Sequence, residues 1–150
     1  MTVEEQFIRQ AIELARQARE HDNHPFGALL VIDNQVVLTA ENTINTDKNP
    51  TCHAETNLVQ KAIRKLSPEQ LAQAILYTST EPCVMCTGAI YWAGIRKLIY
   101  GLANEELAKL AGERLPISCR EILDRAWEKV EIIGPLLTDE ALAVHEGFWN

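Results

Sequence analysis

Long apolar runs and basic clusters are both missing from the sequence. No stretch approaches the roughly 20 apolar residues of a membrane-spanning helix, and the segment Thr2 to Glu20 carries too much charge for a signal or transit peptide. The chain has 14 Lys and Arg against 21 Asp and Glu, a formal net charge of −7, and no basic run longer than a pair. Because nucleic-acid binding depends mainly on neutralising phosphates, this balance disfavours a nucleic-acid partner. We expect a cytoplasmic protein without membrane association.

Glycine and cysteine are also scarce, with seven and four residues respectively. No repeat, linker or low-complexity tract is visible, and 150 residues with 47% hydrophobic content suffice for one well-filled core. We therefore predict one domain over residues 1–150. Two of the cysteines form a Cys-x-x-Cys pair. The other two, Cys52 and Cys119, are expected to be buried or incidental thiols in a reducing compartment.

Two short motifs carry the chemistry of the sequence. The first is His53-Ala54-Glu55, and the second, about thirty residues later, is Pro82-Cys83-Val84-Met85-Cys86. An imidazole and two thiolates are good zinc ligands, and Cys83 and Cys86 are spaced to bind one ion from one turn of a helix. Three protein ligands leave one tetrahedral position for water, as in catalytic rather than structural zinc sites. The sequence thus predicts one Zn²⁺ per subunit.

Glu55 lies too close to His53 along a helix for both to face the metal directly, but it can reach a water that the metal activates. We expect it to be the catalytic general acid and base that moves this proton. The alternative is a closed, non-enzymatic zinc module with Cys52 or Cys119 as fourth ligand. Consecutive helical side chains point about 100° apart, which disfavours Cys52 beside His53. The sequence leaves Cys119 open.

The order of hydrophobic patterns predicts a hairpin followed by alternating helices and strands, which is typical of a mixed sheet with helices on both faces. We predict a three-layer α/β/α fold with a five-stranded sheet. The predicted helices are Thr2–Glu20, Cys52–Lys65, a short turn after Ser67, Cys83–Ala93, Glu105–Leu110, Cys119–Trp127 and a last helix from Thr138, its cap, to Asn150. The predicted strands are Phe26–Ile32, Gln35–Glu41, Ile75–Thr80, Lys97–Gly101 and Val130–Ile133.

These motifs resemble those of the cytidine deaminase-like superfamily, in the branch that holds guanine, cytosine and tRNA adenosine deaminases. The likeness extends from Phe26 to Tyr100 and is weaker afterwards. It implies the cytidine deaminase-like fold, hydrolytic deamination of a nucleobase and a homodimer. Guanine, which would give xanthine and ammonia, is the substrate we favour. Cytosine or a related amino-heterocycle is the second candidate, and adenosine in tRNA is the third.

The resemblance also implies substrate contacts. Phe26 resembles the residue beside the substrate ring, and Asn42 the asparagine that binds its polar edge, although an asparagine here could be a simple turn former. The backbone of Ala54 would donate to the substrate, and Glu81 and Pro82 would shape the opposite wall.

Four further residues are carried over from the family pattern less directly. Trp92 resembles a tryptophan that packs on the base, with the core or a dimer interface as alternatives. Glu113 stands near the position of an acidic residue that reads the amino group of guanine. Phe148 and Trp149 resemble aromatic residues that close the site, with a docked terminal helix as the alternative.

Overall fold

The computed structural model describes residues 1–112, 115 and 117–150. Its elements follow in the order α1 (Val3–Glu20), β1 (Gly27–Ile32), β2 (Gln35–Glu41), α2 (Ala54–Lys65), α3 (Pro68–Gln73), β3 (Ile75–Thr80), α4 (Val84–Trp92), β4 (Lys97–Leu102), α5 (Asn104–Ala111), α6 (Cys119–Leu123), β5 (Glu131–Ile133) and α7 (Thr138–Ala143). No helix in the described part of the chain is long and apolar enough to cross a membrane.

The five strands form one mixed sheet in the order β2-β1-β3-β4-β5. Strand β1 is antiparallel to both β2 and β3, and β3, β4 and β5 run parallel. Asp33 and Asn34, both with positive φ, make the tight turn of the β1–β2 hairpin. The predicted five-stranded α/β fold is confirmed.

Two apolar cores cover the sheet. On one face, Leu58 of α2 and Ile90 of α4 pack with β-strand residues such as Leu76 and Leu98. On the other face, Ile8 of α1 packs on the opposite side chains of the same strands. Alternating strand residues point to opposite faces, so β3 contributes to both cores. This arrangement places α2 and α4 side by side, with their N-termini available for a shared site.

The structure corrects the predicted ends of the last helices. Helix α6 stops at Leu123, because the following residues, up to the fully exposed Trp127, have no apolar face to bury. Helix α7 ends at Ala143 and is followed by turns that include Gly147 at φ 70°. Residues 144–150, called the tail below, are therefore not helical. Its N-cap is Leu137 in the left-handed region, and Thr138 is not the cap.

Candidate functional site

The two motifs meet because α2 and α4 begin next to each other on the same face of the sheet. His53 is the N-cap of α2 and Cys83 is the N-cap of α4, with Cys86 inside the first turn. The hydroxyl of Thr87 donates to the carbonyl of Pro82 at 3.2 Å and so fixes the turn that presents the two sulfurs.

The three predicted ligands converge on one point. The Nδ1 atom of His53 lies 3.5 Å from Sγ of Cys83 and 3.5 Å from Sγ of Cys86. Tetrahedral zinc, with bonds of about 2.3 Å to sulfur and about 2.0 Å to nitrogen, would separate a bound nitrogen from a bound sulfur by about 3.5 Å. The donor atoms therefore have both the chemistry and the spacing that a zinc ion requires.

The ligand side chains strongly affect one another's ionisation. The pKa of Cys83 is lowered to about 4, first because the Cys86 thiol donates a hydrogen bond to its sulfur and then because of His53. The pKa of Cys86 is raised, first by its interaction with Cys83 and then by burial. The pKa of His53 is raised, chiefly by its hydrogen bond with Cys83. A thiolate is thus favoured at the centre of the cluster, as zinc binding needs.

Glu55 lies in the first turn of α2 and is almost fully buried. The pKa of its carboxyl is raised to about 7, first by burial and then by the nearby Cys83, whereas His53 and a hydrogen bond with Thr78 oppose the shift. A carboxyl that titrates near neutral pH can both accept and donate a proton under working conditions. Glu55, His53 and Cys83 all line one cavity of the structure.

Neither remaining cysteine joins the metal-ligand cluster. Among the described residues, the metal-capable group consists of His53, Cys83 and Cys86 alone. The buried Cys119 instead belongs to the start of α6, where its backbone N–H donates to Glu81 at 2.9 Å. Burial, and then Glu81, raise the pKa of the Cys119 thiol, which favours the protonated form rather than a metal-binding thiolate. The cluster therefore has three protein ligands, as catalytic zinc sites have.

A cavity of about 780 Å³ opens beside the three ligands. Its wall contains Phe26, Asn42 and Trp149 from the sequence prediction. It also contains residues that the sequence did not single out, among them His24, Thr80, Tyr100 and Arg120. The ring of His24 lies edge-on to Trp149 with centroids 5.3 Å apart. Its position two residues before Phe26 was the only available signal.

Asn42 is held in a defined orientation. Its Oδ1 atom accepts a hydrogen bond from the backbone N–H of Ile44 at 3.0 Å, and its own N–H donates to the carbonyl of Phe26. The side chain is buried at the cavity wall. Because Oδ1 is already engaged by a backbone donor, the Nδ2 amide is the group that is left to donate to a ligand. Asn42 therefore forms an Asx turn and lines the cavity at the same time.

Glu81 lines the cavity but has a second role that the sequence did not indicate. One carboxylate oxygen accepts from the backbone N–H of Asn104 at 2.9 Å, and the other accepts from Cys119 at 2.9 Å. These donors are the first residues of α5 and α6, and the carboxylate also interacts favourably with the positive ends of both helices. Glu81 thus fixes two helices that form the far wall of the cavity.

The other predicted contact residues lie elsewhere. Trp92 is 85% exposed and does not line the cavity, because it lies six residues after Cys86 and so on another face of α4. The fully buried Ala54 and the turn residue Pro82 flank the ligands without lining the cavity wall. Phe148 packs against Trp149, behind the wall, with ring centroids 4.8 Å apart. Glu113 lies outside the described residues.

Comparisons with known proteins agree with this geometry. Residues 1–102 match the family model described as the cytidine and deoxycytidylate deaminase zinc-binding region. A probable cytosine deaminase of Schizosaccharomyces pombe is 44% identical over an alignment of 150 positions that covers 96% of this chain and 91% of the relative. A guanine deaminase of Bacillus subtilis is 39% identical over 106 residues, covering 70% and 68%. A tRNA-specific adenosine deaminase of the same species is 35% identical, covering 100% and 91%.

The fold is similar to that of a solved relative as well. A structure of guanine deaminase from Nitrosomonas europaea superposes with a TM-score of 0.80 at 25% identity, over 93% of this chain and 81% of that one.

Proposed function

The chain belongs to the cytidine and deoxycytidylate deaminase zinc-binding family and is a zinc-dependent deaminase, and we propose that its substrate is a free nucleobase, from which it removes an exocyclic amino group. The family resemblance expected from His53-Ala54-Glu55 and Pro82-Cys83-Val84-Met85-Cys86 is confirmed. One observation carries the proposal: two of the three clustered ligands, His53 and Cys83, line one cavity together with the buried Glu55, Asn42 and an aromatic wall. In this proposal residues 1–150 form a single deaminase domain.

A zinc ion held by His53, Cys83 and Cys86 would supply the Lewis acid that activates water. Glu55 moves the protons. Its carboxyl takes one proton from the water, whose oxygen bonds to the ring carbon, and passes it to a ring nitrogen of the base. It then takes the second proton from the new hydroxyl on that carbon and gives it to the leaving amine as the carbon–nitrogen bond breaks. The pKa of about 7 suits both halves of this transfer. A carbonyl replaces the exocyclic amine, and ammonia is released.

Asn42 and the aromatic residues bind the base. The hydrogen bond from Ile44 orients the side chain of Asn42, whose Nδ2 amide donates to an acceptor on the polar edge of the ring. Phe26 and Trp149 present apolar ring surfaces on the cavity wall, against which a planar heterocycle can pack. Because guanine and cytosine both carry a ring carbonyl next to an amidine nitrogen, these contacts suit either base.

A free base is favoured over a base in a polynucleotide. The net charge of −7 opposes binding of a phosphate backbone, although a relative 35% identical is a tRNA-specific adenosine deaminase. The cavity lies beside buried polar groups and is closed on one side by Trp149, as expected for a small molecule. The tRNA substrate remains the third candidate.

Guanine is the base that the sequence predicts, and the room in a cavity of about 780 Å³ is ample for a fused two-ring system. Cytosine is the second candidate, because the relative that is 44% identical over nearly both full lengths is a probable cytosine deaminase. The aromatic wall and Asn42 do not distinguish the two bases.

A panel of substrates tests the proposal. Purified protein with its zinc content measured is incubated with guanine, cytosine, guanosine, cytidine and a tRNA containing adenosine at the wobble position, and ammonia release is followed. We expect turnover of a free base with kcat/KM at least about tenfold above that of its nucleoside, because an added sugar must displace packed wall residues. Preference for the tRNA, or no ammonia from any member, would overturn the free-base proposal.

We also propose that the protein is a homodimer and that α4 lies in the interface. Trp92 is 85% exposed and Met85 is 37% exposed, so α4 carries large apolar side chains that the described part of the chain leaves partly or largely uncovered. Apolar patches of this kind are typical of protein interfaces.

A further inference from the structure

The indole of Trp149 separates two cavities. It lines the larger cavity beside the metal ligands and also a second cavity of about 330 Å³, which is bounded by α7 and the tail. The position of this ring therefore sets part of the boundary of the larger cavity. What holds the ring in place bears directly on the shape of the binding site.

The indole has a polar partner in His145, which is 1% exposed. The Nε1–H of Trp149 donates to Nδ1 of His145 at 3.0 Å, and the two rings lie almost parallel, at 20° with centroids 6.2 Å apart. The ring of Phe26 meets the imidazole at 64° with centroids 5.4 Å apart. His145 is thus enclosed by two aromatic residues of the cavity wall, while it does not itself line the larger cavity.

We propose that His145 is a positioning residue, whose unprotonated Nδ1 holds the Trp149 indole in place as a wall of the substrate cavity. That the cavity binds substrate rests on the proposed function. The hydrogen bond itself does not.

The surrounding contacts fix the backbone of residues 144–150, whereas the hydrogen bond to His145 orients the indole. Arg19 of α1 donates to the carbonyl of Val144 at 2.9 Å and lies over the ring of Phe148, 5.5 Å from its centroid. The rings of His24 and Phe148 lie edge-on to the indole, and ring contacts of this kind constrain its orientation less than a directional hydrogen bond does. His145 therefore supplies the polar constraint on the indole.

The tautomer of His145 follows from this bond. An Nδ1 atom that accepts from an indole carries no proton, so the proton of the neutral ring lies on Nε2. Burial, and then the positive charge of Arg19, lower the pKa of His145 to about 4, which keeps the ring neutral near pH 7. An imidazolium would have a proton on both nitrogens and could not accept the bond.

Two substitutions of His145 distinguish the effect of losing the hydrogen-bond acceptor from the effect of losing the aromatic ring. His145→Phe keeps an aromatic ring but removes the acceptor, whereas His145→Asn loses the ring but places its amide oxygen close to the position of Nδ1. The indole N–H resonance of Trp149, assigned as the signal that Trp149→Phe removes, is followed by NMR without any substrate. Steady-state kinetics are measured with guanine or cytosine, whichever the substrate panel shows to be turned over.

We expect His145→Phe to shift the indole resonance, to speed its exchange with solvent, and to raise KM about 5- to 10-fold with little change in kcat. His145→Asn should restore KM to within about threefold of the wild type, in line with retention of one neutral hydrogen bond. The double variant His145→Phe/Trp149→Phe should be no worse than Trp149→Phe, because both changes remove the same interaction.

An unshifted indole signal in His145→Phe, or a normal KM in a variant whose indole has moved, would overturn the inference. If neither variant folds, the wild-type side-chain ¹⁵N shifts of His145 decide. A protonated Nε2 with a bare Nδ1 supports the positioning role, and the opposite tautomer contradicts it. Because the NMR measurements need no turnover, they remain informative even if no tested base is deaminated.

Discussion

Turnover should depend most directly on Glu55. Replacing it by Gln keeps the size of the buried side chain but removes the group that exchanges protons, so we expect kcat to fall by about 10²- to 10⁴-fold. Zinc content should stay near one ion per chain, because His53, Cys83 and Cys86 are untouched. Ammonia release and metal analysis of the same preparation measure both quantities.

The matched control is Glu69→Gln, which changes an exposed carboxylate in the first turn of α3. It should retain wild-type turnover and zinc content. Near-normal kcat in Glu55→Gln would show that another group moves the protons. Loss of zinc together with turnover would show that Glu55 mainly supports the metal.

His145 should make the stability of the protein depend on pH below neutrality. Its pKa is about 4 in the folded state, lowered by burial and by Arg19, against 6.5 as the ordinary value. As pH falls, the unfolded chain takes up the proton first, so the stability is fully present above pH 6.5 and is lost as pH falls towards 4. The shift corresponds to a loss of about 3 kcal/mol as an upper figure.

Urea unfolding of the wild type and of His145→Phe between pH 7 and pH 4.5 tests this prediction. The other ionisable groups near this region, including His24 and the acidic residues Asp139 and Glu146 around the second cavity, are the same in both proteins, so the difference between the two pH profiles isolates His145. The wild-type curve should fall more steeply. Parallel curves would show that His145 is not buried as a neutral ring.

At the level of the elements, the sequence predicted most of the structure where a hydrophobic pattern and a turn signal coincide. The bounds of β2 and β3 were predicted correctly, because the Asp33-Asn34 turn comes directly before β2 and Pro82 follows closely after β3. The ends of α6 and α7 were wrong, since both depend on tertiary packing of the segments that follow rather than on local propensity.

The sequence predicted the local motifs of the candidate site but not the contacts that depend on tertiary packing. The ligands and Glu55 are local motifs, and the structure brings the three ligands together as predicted. The double capping by Glu81 depends on two backbone donors 23 and 38 residues away. The pairing of His145 with Trp149 depends on where the tail turns after α7. No spacing pattern in one sequence reveals contacts of this kind.

The close packing of α1 on β1 gives an element-scale prediction. A Cβ added at Gly27 would lie 2.5 Å from the carbonyl oxygen of Ala11 and 2.6 Å from the backbone nitrogen of Ala15, so the helix would have to move. Gly27→Ala should destabilise the protein by at least about 1–3 kcal/mol, as overpacking does in well-filled cores. Urea or thermal unfolding measures the change.

Gly88→Ala is the control, because a Cβ there meets no atom within 4 Å and the residue lies inside α4. It should be neutral or stabilise by up to about 1 kcal/mol, because Ala is the better helix former. Equal stability of Gly27→Ala and the wild type would mean that α1 is packed less closely on the sheet.

At the scale of the whole molecule, the sheet separates the helices that carry the metal ligands from the helix that contacts the tail. One face carries α2 and α4 with the ligands, while the other carries α1, whose Arg19 reaches the tail that closes the cavity. The charge of −7 is spread over a surface with scattered ion pairs such as Arg9–Glu140 and Lys97–Glu131, which link elements but contribute little each. Apolar exposure is therefore the main indication of an association surface.

The dimer prediction follows from that exposure. Trp92→Glu places a charge where α4 presents its most exposed apolar side chain, and burying an unpaired carboxylate in an interface is costly. We expect the wild type to have twice the 16.9 kDa mass of the chain by light scattering and Trp92→Glu to shift towards the monomer. Val3→Glu, at an exposed position of α1 on the opposite face of the sheet, should remain dimeric. A monomeric wild type, or dissociation by both variants alike, would rule out α4 as the specific interface, because only a contact through Trp92 makes the two substitutions differ.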